Sequence, residues 1–344
     1  MKNDLIRWGM IGCGAVAEVK SGPGFQKASG STLVAVMRRN RDLAEDYARR
    51  HGVPRAYDDA EKLLADPEVD AVYIATPPGT HADYALRAAE FGKPAYVEKP
   101  MARHVPECDR MLAAFARAKR PIYVAYYRRS LPRFLAVQRL LQDGALGEIE
   151  AVDYRLAASN HRKPSGWRVT AEEAGGGHFL DMGSHVVDLI EFLFGPLEDV
   201  RGSAERTGPV GEVEDRVTMS FRTGAVAGRG RWDFASEEAA DLLTVKGNLG
   251  TLRFSVFGDE PLAWDHGGTT ELLAYPNPPH VQQPLIQAVV DELLGRGASP
   301  STGDSARRAS AVMDTVLAGY YGGRGDEFWR RPETWPGRKT APRA

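Results

Sequence analysis

The run GCGAVA at residues 12–17 constrains this chain more than any other stretch. It follows an apolar, strand-like run, LIRWGMIG (5–12), and opens a segment of helical periodicity from Ala15 to about Ala28. A strand that turns into a helix over two glycines forms the phosphate-binding corner of a dinucleotide fold. Gly12 permits the tight turn, Gly14 lets backbone approach a pyrophosphate, and Ala17 is the small residue where helix meets strand. Ala15 and Val16 fill the positions between, so the first amides of the helix face the phosphates.

The rest of the first third continues in the same style. Runs of β type at 32–37, 69–76, 94–99 and 121–126 alternate with helical runs at 43–52, 61–67, 81–92 and 105–118. Such alternation predicts right-handed crossovers and a parallel sheet. From about residue 148 the pattern changes to strands at 148–157, 200–207, 216–223, 225–234, 241–247 and 250–257, joined by short turns. Helical runs at 184–194, 281–295 and 304–320 suffice to cover one face of that second, mostly antiparallel sheet. The expected fold class is therefore α/β. A Rossmann dinucleotide-binding domain spans 1–125, and an α+β domain with an open sheet spans 126–330. A loose Pro- and Arg-rich tail covers 331–344. The free sheet face predicts a homodimer or homotetramer.

Composition narrows the function classes. With 344 residues, 43% of them hydrophobic, the chain can bury two cores, and its 44 basic and 46 acidic residues leave a net charge of −2. Acids are interleaved with the arginines, which argues against a nucleic-acid or membrane face. Cys13 lies in the glycine loop and Cys108 in a predicted helix, so neither disulfide nor metal use is expected. No leader-like run precedes the first strand and no apolar stretch approaches the roughly 20 residues of a membrane span, so a cytoplasmic protein is expected.

The second strand ends in Met37-Arg38-Arg39-Asn40-Arg41, where NAD-preferring sites place a carboxylate for the ribose hydroxyls. Arg38 and Arg39 instead offer charge-assisted donors to a 2′-phosphate, which favours NADP(H) and leaves NAD(H) open. YIATPPGTH (73–81) ends a strand in a Pro-Pro-Gly turn at the crevice over the strand ends, making Thr76, Pro78 and His81 candidate cofactor contacts. His81 also suits a helix-packing role. In YVEKP (96–100), Glu98 and Lys99 stand at a strand end as further candidate cofactor contacts, and a lysine there can also orient a hydroxyl or carbonyl oxygen; a plain surface turn is the alternative. In AGGGHFLDMGSHVVD (174–188), Asp181 and His185 are spaced to share one face of a helix, with three glycines ahead of them.

These motifs, with VKGNLGTLRF (245–254), stand in the order seen in the glucose-fructose oxidoreductase / inositol dehydrogenase / rhizopine-catabolism (Gfo/Idh/MocA) family. The chain resembles that family up to about residue 320. The resemblance implies an NAD(P)-dependent oxidoreductase that transfers hydride to or from a sugar, inositol or related polyhydroxy carbonyl compound bound between two domains. It implies that His185 is the acid/base, that Lys99 holds the reacting oxygen, and that Asp181 orients substrate or histidine. It further places Tyr127 and Arg128 of YYRRSLP (126–132), and Trp167 and Arg168 of SGWRVTAEEAGGG (165–177), at the substrate. The glycines at 175–177 would fold the loop tightly against the cofactor. A redox-neutral NAD-dependent glycosidase and a non-catalytic dinucleotide-binding regulator are the alternatives. Arg38 in place of the frequent acid, the basic segment ASNHRKP (158–164) and the ending beyond Tyr321 all depart from the family pattern.

Overall fold

The computed structural model describes residues 4–158, 166–208 and 211–338. All but the first residue of ASNHRKP, and the tail past 338, lie outside that range. The chain forms two compact units. The first comprises Met1–Ala102, Pro106–Leu131 and Asn277–Arg307; the second comprises Arg103–Val105, Pro132–Pro276 and Arg308–Ala344. The chain thus leaves the first unit after Leu131 and returns to it for 31 residues, Asn277–Arg307. A contiguous boundary near 125 has no such return, because only packing between distant residues reveals it.

In the first unit, β1 (Ile6–Ile11), β2 (Ser31–Met37), β3 (Arg55–Tyr57), β4 (Ala71–Ile74), β5 (Ala95–Val97) and β6 (Ile122–Val124) form one sheet. Its order is β3-β2-β1-β4-β5-β6, and every pair is parallel. β4, β5 and β6 are buried at every position, as expected of strands covered on both faces. One face packs an apolar core that includes Leu63, Val72, Ile74, Val97, Met111 and Phe115. On the other, Trp8, Phe25, Tyr73 and Tyr96 form a chain of rings with successive centroids 4.9, 5.0 and 5.3 Å apart.

Helices α1 (Gly22–Lys27), α2 (Arg41–His51), α3 (Ala60–Leu64), α4 (His81–Glu90) and α5 (Val105–Ala118) connect these strands. α2 begins on Asn40, whose side chain accepts from the Leu43 amide, and ends on Gly52 with φ +66°, the left-handed residue its sequence called for. The helix expected from Ala15 is not regular. Residues Ala17–Ser21 form a π-turn before α1. Pro23 has no N–H to give the Val19 carbonyl, which accepts instead from His280 Nδ1 at 2.8 Å.

In the second unit, eight strands form an open sheet: β7 (Ile149–Ala157), β8 (Glu198–Glu205), β9 (Arg216–Thr223), β10 (Val226–Asp233), β11 (Ala240–Gly247), β12 (Gly250–Phe254), β13 (Leu262–His266) and β14 (Thr269–Leu273). The order is β14-β13-β12-β11-β7-β10-β9-β8, antiparallel except where β7 meets β10. Alternation is clean: Val217, Met219 and Phe221 of β9 point inward, while Thr218 and Ser220 stand on the other face. α6 (Pro132–Gln142), the short α7 (Ala171–Ala174) and α8 (Ser184–Phe194) belong to this unit. α9 (Gln283–Leu293) lies in the first unit, and α10 (Gly303–Tyr321) passes from the first into the second. The tail is ordered further than its composition suggests. Trp335 is buried against Tyr321 and donates from Nε1 to the Phe328 carbonyl.

No helix among the described residues is long and apolar enough to cross a membrane.

Candidate active site

In the first unit, the loops after β1, β4, β5 and β6 all leave the carboxyl edge of the parallel sheet. β1 and β4 are adjacent there, at the point where strand order reverses, which is where open α/β sheets bind ligands. Gly12 sits at φ +94°, and a Cβ on it would lie 2.8 Å from Thr76 Cγ2 and 2.9 Å from the Ala75 carbonyl carbon. Only glycine lets the two strand ends approach so closely. A Cβ on Gly14 would meet nothing nearer than the Gly12 carbonyl oxygen at 4.0 Å, so the space before Gly14 is open, as a bound pyrophosphate requires. Ala15 is exposed, Val16 half-buried and Ala17 fully buried. Burial pushes the Cys13 thiol up to about 11, so it stays neutral beside this corner.

Arg38 and Arg39 are both exposed at the end of β2. The His81 ring has no exposed surface, which fits the packing role its sequence also allows. Nδ1 lies 3.0 Å from the Pro100 carbonyl and Nε2 2.8 Å from that of Thr76, and burial holds the imidazole below its ordinary value. His81 is a strut between two loops of the site. Pro78 is buried beside it, and the Thr76 hydroxyl accepts from Thr80 at 2.8 Å.

The Glu98 side chain likewise turns inward instead of toward a cofactor. Its Oε1 accepts from the Tyr73 hydroxyl and from Gln282 Nε2, both at 2.6 Å, and its Oε2 accepts from the Lys99 amide at 3.2 Å. Gln282 belongs to the returning segment, so a residue 184 positions away fixes the carboxylate that steadies the Lys99 backbone. Lys99 itself is half-buried.

After β6, Tyr127–Ser130 make one 3₁₀ turn, and Tyr127, Arg128 and Arg129 are all buried. Arg128 lies 5.0 Å from the Tyr127 ring centroid. Burial alone would push the Tyr127 phenol up, but Arg128, Lys20 and Lys99 together hold it below its ordinary value. Tyr127 therefore lies within the positive field of Arg128, Lys20 and Lys99. Lys20 carries no motif and was not foreseen.

In the second unit, Gly175–Gly177 follow α7, then a π-turn at Phe179–Gly183 leads into α8. Gly175 caps α7 at φ +83°, and its Cβ would fall 2.8 Å from Arg103 Cα and from the Arg103 carbonyl oxygen. A Cβ on Gly177 would fall 2.3 Å from the Glu214 carbonyl oxygen. Gly175 and Gly177 thus make room for protein backbone, and Gly176 for the side chains of Leu180 and Glu214. Asp181 lies in the π-turn and accepts from Arg168 Nε at 3.0 Å. Arg168 also stands 4.4 Å from the Trp167 ring centroid. The ion pair to Asp181 takes one edge of the guanidinium. His185, second residue of α8, is 5% exposed with its ring edge-on to Phe257.

Among the described residues no cluster of His, Cys, Asp and Glu is arranged to hold a metal ion.

Residues 6–126 match the oxidoreductase family with an NAD-binding Rossmann fold, and residues 134–260 match the GFO/IDH/MocA C-terminal domain. Oxidoreductase P35 of Formosa agariphila is 38% identical over 314 residues, spanning 90% of this chain and 97% of that protein. The 1,5-anhydro-D-fructose reductase of Ensifer adhaerens is 29% identical over 227 residues, 65% of this chain and 68% of that one. The aldose-aldose oxidoreductase of Caulobacter crescentus, in a structure complexed with glycerol, shares the fold with a TM-score of 0.82 at 23% identity, covering 92% of this chain and 98% of that one. Two matched domains in series, and a relative aligned over nearly its full length, place the chain in the Gfo/Idh/MocA family of oxidoreductases.

Proposed function

We propose that this chain is an NADP(H)-preferring dehydrogenase or reductase that interconverts a hydroxyl and a carbonyl on a sugar, an inositol or a related polyhydroxy compound. The observation that carries the reading is the carboxyl edge of the parallel sheet. There the open corner at Gly14 and the Lys99 turn, tied down through Glu98, rise from strands of one sheet. Gly12, Gly14, Ala15 and Val16 would hold the cofactor's pyrophosphate through backbone amides, with Thr76 and Pro78 as further contacts. When bound, the nicotinamide accepts or supplies the hydride at the carbinol carbon.

The chain's own residues handle the oxygen and its proton. In the oxidising direction His185 removes the hydroxyl proton, and in the reducing direction it returns one. The role of the Lys99 ammonium is to donate to the reacting oxygen and stabilise negative charge that builds on it. Asp181, held by Arg168, orients His185 or a neighbouring substrate hydroxyl. Trp167 offers a face for the sugar ring, and Tyr127 and Arg128 offer donors to its oxygens. The test is turnover on a panel of sugars, inositols and dicarbonyl sugars in both directions, followed by nicotinamide absorbance. Silence across the panel, with cofactor binding intact, overturns the reading.

For the cofactor, NADPH is expected to bind about tenfold more tightly than NADH, and Arg38→Ala with Arg39→Ala to abolish the difference. Fluorescence titration of both nucleotides measures it; tighter NADH binding reverses the assignment. The outer face of β7 to β11 presents Arg155, Arg201, Arg229 and Arg231 around an exposed Leu242, and we assign to this face the contact of a homodimer or homotetramer. A monomer by light scattering removes that assignment. The expected setting is the cytoplasm, with a small-molecule partner and no nucleic acid or membrane.

A further inference from the structure

The segment beyond Tyr321 departs from the family pattern, and the structure ties it to the loop that leads into Asp181 and His185. Arg324 is 4% exposed. Its guanidinium donates to acceptors on three separate segments: Nε to Asp314 Oδ1 at 2.6 Å, Nη1 to the Gly175 carbonyl at 2.7 Å and Nη2 to the Arg103 carbonyl at 2.6 Å. The rings of Phe328 and Tyr321 lie against it, with centroids 4.3 and 5.2 Å from Cζ. Asp314 closes the knot by accepting from the Val105 amide through Oδ2 at 2.8 Å.

A second anchor lies two residues along the same loop. The carboxylate of Glu214, which has no exposed surface, accepts the Gly177 amide at 2.9 Å and the Tyr321 hydroxyl at 2.5 Å. Burial raises the pKa of that carboxyl against the pull of these donors and of Arg324. Gly175 and Gly177 are therefore gripped from both sides by groups that come from the end of the chain or depend on it. The loop has no side chains of its own with which to hold position. The Leu180 amide, at the start of the π-turn that carries Asp181, donates to the Gly177 carbonyl at 3.1 Å, so a shift of the glycines passes directly to that turn.

We infer that Arg324, with Tyr321 and Glu214, is a positioning residue for catalysis: the pin that fixes the Gly175–Gly177 loop and through it the placing of Asp181 and His185. This rests on the dehydrogenase reading, since turnover is the readout. A wild-type enzyme that turns nothing over fails that reading, whereas an active wild type leaves only the pin in question.

The experiment compares full-length Arg324→Met, Arg324→Lys and Tyr321→Phe, each with bound cofactor. A shift of about an ångström in catalytic groups costs on the order of 10²-fold in rate. Arg324→Met is therefore expected to lose roughly 10- to 100-fold in kcat. Its NADPH affinity and substrate KM should stay within about twofold, because interactions made only in the transition state act on kcat. Arg324→Lys, which keeps the charge and some donors, is expected to recover part of the loss. A folded Arg324→Met with wild-type kcat overturns the inference, and so does an equal loss in the lysine and methionine variants. If Arg324→Met does not fold, Tyr321→Phe decides. Removal of its one hydroxyl is expected to lower kcat at unchanged KM, and wild-type kcat in that variant overturns the pin.

Discussion

Lys99→Met and His185→Asn are each expected to lower kcat by about 10²- to 10⁴-fold, the range general acid–base groups supply. NADPH affinity should hardly change, because the phosphate corner at Gly12–Gly14 is on other loops. Stopped-flow hydride transfer with cofactor titrated separately measures both. A normal rate in either variant would remove that residue from the chemistry.

Gly175→Ala is expected to cost about 2–4 kcal/mol of stability, a large share of what a domain has. Two penalties combine there. A non-glycine residue is strained at φ +83°, and the added Cβ would meet Arg103 Cα and carbonyl oxygen at 2.8 Å, backbone atoms that do not swing aside. Gly166 separates the two terms, since it has φ +69° with nothing within 4 Å of its Cβ. Gly166→Ala is expected to cost about 1–2 kcal/mol from strain alone. Urea unfolding of both variants gives the comparison. Equal costs would mean that the glycine loop does not press on Arg103.

What the sequence reveals of this molecule is mostly what is local. The strand-turn-helix at GCGAVA, the helix that stops on Gly52 and the change from helical to alternating periodicity near 148 all depend on neighbours in the chain, and all are present. The hairpin of β13 and β14 also has a local sign, the Gly267-Gly268 pair, both with positive φ. α6 starts on Pro132, one residue past the preceding 3₁₀ turn, and Pro132 is the last residue of the YYRRSLP segment. The supports of the site were not legible, for a physical reason. Gln282 steadies Glu98 across 184 positions, and Arg324 holds Gly175 across 149, with no periodicity or spacing to announce either. The candidate residues came from motif order and resemblance. The residues that hold them still emerge only from packing, which also ties Glu98 to Tyr73 and His81 to the Thr76 carbonyl and pairs Arg168 with Asp181.

The central claim is direct hydride transfer between a carbinol carbon and the nicotinamide ring. The most direct measurement turns over a sugar or inositol carrying deuterium on the reacting carbon and locates the label by mass spectrometry. Hydride transfer predicts deuterium on the nicotinamide ring, with reduced cofactor accumulating in step with the carbonyl product. Deuterium lost to water, or product formed with no reduced cofactor released, would contradict it.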